Sequence, residues 1–170
     1  MLRVPALAAF ATFTALAQKT DVQFDREVDF AKYKTYSWIA SKRPAQPLNE
    51  KIIQRGVDDA LKKLGFAKVA DGAPADLNVA YHVAVEERTE VVGYDYGYYP
   101  GRWRRMSGGM VTYNEYKYQQ GTLVVDLVDA GKHEMIWRGV ATDTVPTNQA
   151  KAEKAMAKVA KKWFAKWPPK

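Results

Sequence analysis

The sequence predicts an α+β domain: an antiparallel sheet of about four or more strands with two helices packed on one face. Three observations predict it. Residues 121–141 read as a β-hairpin, residues 49–64 and 148–167 repeat apolar side chains at helical spacing, and no shift in composition along the 170 residues marks a second domain. A chain of this length buries a core without staples, in keeping with the complete absence of cysteine.

At the N-terminus, Arg3 and the α-amine form a short positive region, residues 4–17 are uncharged and mostly apolar, and Ala15-Leu16-Ala17 has the small residues of a cleavage site. Fourteen residues are too few to span a bilayer, which takes about 20. The chain therefore divides into a signal peptide, 1–17, and a single domain, 18–170, expected in the periplasm or outside the cell. The alternative, a buried N-terminal helix, fits poorly with Pro5 and with the abrupt change to polar residues at Gln18. Without a cysteine, the protein is not expected to be a conventional lipoprotein.

Residues 21–39 are rich in aromatics, with Phe24, Phe30, Tyr33, Tyr36 and Trp38, and favour one or two short strands. Pro44 and Pro47 make 41–47 a loop. The helix over 49–64 is expected to take Asn49 as its N-cap, to staple Leu48 onto Ile53, and to end at Gly65 with Phe66 folding back. Asp71-Gly-Ala-Pro74 is a turn. Leu77, Val79, Tyr81, Val83 and Val85 then alternate with Asn78, Ala80, His82, Ala84 and Glu86, as in a long strand with one apolar face. Gly and Pro between 93 and 109 predict a long irregular loop, and residues 111–118 lead into the hairpin.

In the hairpin, Leu123, Val125 and Leu127 share a face, Asp129-Ala-Gly131 supplies the turn with Gly131 free to take positive φ, and Met135, Trp137, Gly139 and Ala141 alternate on the return. In the last helix Ala152, Met156, Val159, Ala160, Trp163, Phe164 and Trp167 fall on one arc and the lysines on the other, with Pro168-Pro169 as the stop. The aromatic arc is expected to face the sheet, and Trp137, Trp163, Leu61 and Val125 to share the core.

These residues together resemble the DUF4136 family of bacterial envelope proteins, a domain of unknown function. The likeness runs through Phe24-Asp25, the stretch from Asp29 to Trp38, Ala75-Asp76-Leu-Asn-Val-Ala-Tyr81, Gly121-Thr-Leu-Val-Val-Asp-Leu-Val-Asp129, and Trp137-Arg-Gly139 ahead of a helix ending in Trp167-Pro-Pro169. It implies an exported α+β domain and supplies no catalytic residue. Many relatives look like lipoproteins anchored through an N-terminal cysteine, a pattern from which this sequence departs.

No catalytic motif is present: no nucleophile elbow, phosphate-binding loop or metal spacing around His82 or His133, and Asp126 and Asp129 lie three apart and so point to opposite sides of a strand. A non-enzymatic role without a cofactor is expected. The net charge of +7 favours anionic partners. Seven of the ten tyrosines lie between 94 and 118, beside the cluster Arg102-Trp-Arg-Arg105, which makes Tyr94, Tyr96, Tyr98, Tyr99, Arg102, Trp103, Arg104 and Arg105 the candidate contact residues. Amphipathic rings and guanidinium forks suit an anionic envelope surface, lipid headgroup or glycan, or another envelope protein. Nucleic acid shares that chemistry but not the expected compartment. The alternative is a carrier holding a lipid or small amphiphile between sheet and helices; a further one is an envelope hydrolase.

Overall fold

The computed structural model describes residues 19–39, 47–95 and 111–168, with 90–116 described through their backbone alone where they are included. The signal-peptide reading of 1–17 lies outside these residues. In chain order the elements are β1 (Lys19–Phe24), a 3-10 turn (Phe30–Lys32), β2 (Thr35–Trp38), α1 (Pro47–Lys63), β3 (Ala67–Lys68), β4 (Leu77–Asp95), β5 (Val111–Asp129), β6 (Glu134–Thr144) and α2 (Gln149–Trp163). The strands form one sheet in the order β1-β6-β5-β4-β2-β3.

The class is α+β as expected, but the sheet is mixed rather than antiparallel. β1 with β6, β6 with β5 and β5 with β4 are antiparallel; β2 runs parallel to both β3 and β4. The cause is α1. It separates β2 from β3, and a helical crossover returns the chain to the end where it started, so the strands it joins run the same way. β2 and β3 hold only four and two residues, too few for alternation to reveal a partner.

α1 begins at Pro47, two residues before the expected cap at Asn49, because proline suits the first helical position. Leu48 is exposed and does not serve as a staple. The other end matches the expectation: Gly65 takes φ 88°, its N–H donates to the Lys62 carbonyl and that of Phe66 to the Leu61 carbonyl, and Phe66 folds into the core. α2 is capped by Asn148, whose side chain accepts from the Lys151 N–H, and it stops at Trp163, short of the expected 167.

The hairpin departs from simple alternation in two places. A bulge between Leu127 and Val128 shifts the register, so Ile136 is buried beside Trp137 and Met135 is exposed. In the turn the positive φ belongs to His133 (60°) rather than Gly131, because Asp129 Oδ1 accepts from the N–H of both Gly131 and Lys132, and this fixes the first half of the turn. The expected loop over 93–109 is also shorter at its start: Gly93, Tyr94 and Asp95 pair with Tyr113, Thr112 and Val111 as the end of β4.

Carboxylates tie the layers together. Asp76 Oδ2 accepts from the N–H of Lys34 and Thr35, locking the start of β2 to the start of β4. Asp129 Oδ2 accepts from the Tyr33 hydroxyl at 2.7 Å and from Lys32 Nζ at 3.4 Å. The Tyr33 hydroxyl first, then the Lys132 N–H, hold the Asp129 carboxyl well below the usual carboxylate range. With the folded pKa below the unfolded one, its stabilisation is present above about pH 4 and is lost as pH falls. Asp129→Asn should therefore destabilise by about 1–3 kcal/mol at neutral pH, with a smaller gap from wild type near pH 3. Urea unfolding at both pH values measures this, and a gap independent of pH would show that the charge contributes nothing.

Candidate functional site

Both helices pack on the face of the sheet that carries Leu77, Val79 and Tyr81, each at most 1% exposed. The same alternation continues along β4, but the cover does not: Val83 is 40% and Val85 53% exposed. Their neighbours across the sheet complete two rows, Val83–Leu123–Ala141 and Val85–Gly121–Asp143. These rows form the floor of a groove of about 200 Å³. Ile52 and Ile53 of α1 and Ala152, Ala155, Met156 and Val159 of α2 form its walls, with Val145 and Pro146 at one end. Gly121 keeps the floor open beside Val145, since a Cβ there would meet Val145 Cγ2 at 3.3 Å.

The groove presents methyl and methylene groups almost throughout. Among the described residues its polar lining is Asn49, Thr122, Asp143 and Thr144, of which Asp143 is the ionisable one. An apolar chain laid against such a lining would gain roughly 25 cal/mol per Å² of surface taken out of water. Among the described residues no group of three or more histidines and carboxylates is placed to hold a metal. His82 is exposed on the opposite sheet face. On that same face Arg138 grips Asp126 through two hydrogen bonds, Nε to Oδ1 at 2.7 Å and a terminal nitrogen to Oδ2 at 2.8 Å. The two acids therefore serve separate partners, Asp126 across the hairpin and Asp129 beneath the 3-10 turn.

Of the residues the sequence singled out, Tyr94 sits in β4 opposite Thr112. Tyr96, Tyr98, Tyr99, Arg102, Trp103, Arg104 and Arg105 lie outside the described residues. The sequence offered a carrier site between sheet and helices as an alternative but assigned it no residues. Its signal was there, in an apolar alternation that runs on through Val85, but only the placement of the helices leaves the last two valines uncovered.

A family model describing a domain of unknown function, DUF4136, matches residues 20–169. The chain belongs to the DUF4136 family. This DUF4136 chain has no match in sequence among curated proteins. Similar solved structures include a PDZ domain protein from Parabacteroides distasonis, 12% identical with a TM-score of 0.49; the alignment covers 88% of this chain and 37% of that one. The chain thus spans little more than a third of that protein's length. The PelC dodecamer from Paraburkholderia phytofirmans is 14% identical with a TM-score of 0.47, and 86% and 98% of the two chains are covered. No described helix is long and apolar enough to cross a membrane.

Proposed function

We propose that this DUF4136 domain is a non-enzymatic binding module of the bacterial cell envelope, and that it takes an apolar chain, such as the tail of a lipid or small amphiphile, into the groove between sheet and helices. The observation that carries this reading is the uncovered pair Val83 and Val85, opposite Leu123 and Gly121 on the helix-facing side. Exposed valines in register with a core row are apolar surface that an occupant would take out of water. The apolar N-terminal segment supports export, and with it an encounter with lipid.

A fluorescent fatty acid whose emission rises in apolar surroundings tests the site. Emission should rise on mixing with the protein and fall again when dodecyl phosphate competes. The double variant Val83→Asp/Val85→Asp should abolish the rise while melting close to wild type, because exposed positions tolerate substitution to within about 0.5 kcal/mol. An unchanged rise in that variant would place the ligand elsewhere, and no rise with wild type would end the carrier reading.

A second reading, contact with an envelope surface or envelope protein through the Tyr/Arg segment, is favoured by the sheet topology. β4 and β5 continue for nine pairs, Glu87↔Gln119 through Asp95↔Val111, past the last pair of β6 at Gln120↔Thr144. This two-stranded ribbon measures roughly 30 Å. The segment from Tyr96 to Arg105 lies in the connection between its ends.

A further inference from the structure

The charge of this protein is concentrated in one layer. α1, α2 and the turn through Lys166 hold ten basic and four acidic residues, a net of +6 against +7 for the whole chain, so the remainder is close to balanced. In α2 the separation is sharper. Lys151, Lys154, Lys158, Lys161 and Lys162 fall within an arc of about 100°. All five are exposed, as is Lys166 beyond them, and Glu153 is the single acid of the helix. Among the described residues none of these lysines is in an ion pair; Lys151 Nζ reaches the Thr147 hydroxyl at 3.5 Å. The opposite arc, with Met156, Val159, Ala160 and Trp163, is buried.

The aromatic residues at this end of the helix face inward. Trp163 and Phe164 are buried against Trp137, and Trp167 packs on Phe30 and Phe66. What the outer face offers is positive charge over a helix of 15 residues, roughly 22 Å long. Lys51, Arg55, Lys62 and Lys63, exposed on α1, add further cations in the same layer, with Asp59 exposed among them.

We infer that the outer face of the helical layer, centred on the lysines of α2, docks on a bilayer surface rich in anionic phospholipid. A broad, shallow array of cations on long flexible stems matches a plane of phosphates. It carries no arginine fork in α2 that would select one oriented phosphate or carboxylate. The apolar groove is walled by these same two helices, so docking brings it close to the layer where amphiphiles reside. The docking face stands whether or not the groove is a binding site, because its residues are different ones.

The full chain is sedimented with vesicles of neutral phosphatidylcholine and with vesicles in which about a third of the lipid is phosphatidylglycerol, at low and at physiological salt. Capture should require the anionic lipid and weaken with salt. Changing Lys154, Lys158, Lys161 and Lys162 to Gln should reduce partitioning at least tenfold, since each surface lysine contributes roughly fivefold near an anionic leaflet. The control changes the same charge elsewhere: Lys19, Lys34, Lys117 and Lys132 to Gln, all exposed and outside the helical layer, should leave most of the capture intact. Equal loss in both sets would overturn the proposal in favour of net charge alone. Equal capture by neutral vesicles would overturn it in favour of apolar insertion. A sulfated glycan that strips wild type from vesicles at equal charge concentration would show the partner to be a polyanion in solution. Far-UV circular dichroism checks that both variants keep the fold.

Discussion

Trp137→Ala is expected to destabilise the domain by about 3–5 kcal/mol, the range for a large aromatic truncated in a core. Trp137 is 1% exposed at the middle of the aromatic cluster. Its ring lies flat on Phe164, centroids 4.9 Å apart and planes 9° apart, and meets Trp163 edge to face at 6.2 Å. Phe164 continues to Trp167, and Trp167 to Phe30 and Phe66, so this one ring links β6 to the end of α2, the 3-10 turn and the chain after α1. Gly139 makes the arrangement possible. A Cβ there would stand 2.6 Å from Trp137 Cη2 and 2.8 Å from Trp163 Cδ2, so two indoles share a floor that any side chain would occupy. Trp163 Nε1 also donates to the Val140 carbonyl at 3.1 Å, which fixes the second ring. Urea unfolding followed by far-UV circular dichroism measures the cost. A loss below about 1 kcal/mol would mean that the cluster closes over the gap and that the ring is filling rather than linking.

Asp58→Ala is expected to cost about 2–4 kcal/mol, because it strands two buried donors at once. Asp58 Oδ1 accepts from the Tyr36 hydroxyl and from Trp38 Nε1, each at 2.8 Å, while Oδ2 faces Lys68 Nζ at 3.0 Å. Tyr36 and Trp38 are 1% and 2% exposed, so both donors depend on Asp58 for their acceptor. Burial first, and the hydrogen bond to Asp58 second, push the Tyr36 phenol far above its ordinary range, which keeps it a neutral donor. The Lys68 pair is half-exposed and contributes under about 1 kcal/mol. Asp58→Asn, which retains an acceptor oxygen, should therefore cost less than Asp58→Ala. Adding Tyr36→Phe to Asp58→Ala should recover part of the loss by removing one stranded hydroxyl. Strict additivity of the two substitutions would show that Asp58 acts on something other than this hydroxyl.

Together these two residues account for how each helix is held. α2 is seated by ring packing on β6, α1 by hydrogen bonds to β2 and by the burial of Val57 and Leu61. The outer faces of both helices are left free, one apolar groove is left between them and the sheet, and the positive charge is left on the outside.

What the sequence determined by itself was the set of local elements, wherever the signal lies within a few residues. Gly65 ends α1 because a left-handed residue is needed there, and Asn148 begins α2 because its side chain reaches the Lys151 N–H. Leu123, Val125 and Leu127 set the face of β5, and the membership of Trp137, Trp163, Leu61 and Val125 in the core followed from periodicity alone. The tertiary structure decided everything that depends on residues far apart in the chain. Asp58 lies within the expected helix and Asp129 in the expected turn, yet Asp58 meets Trp38 twenty positions away and Asp129 meets Tyr33 ninety-six away. The parallel pairing of β2 follows from a crossover rather than from its own four residues. The groove belongs to the same class: Val83 and Val79 are equivalent in the pattern of the strand, and only where α1 and α2 come to lie makes one of them a core residue and the other an open surface. Burial is a property of what covers a residue, and periodicity specifies the face but not the extent of its cover.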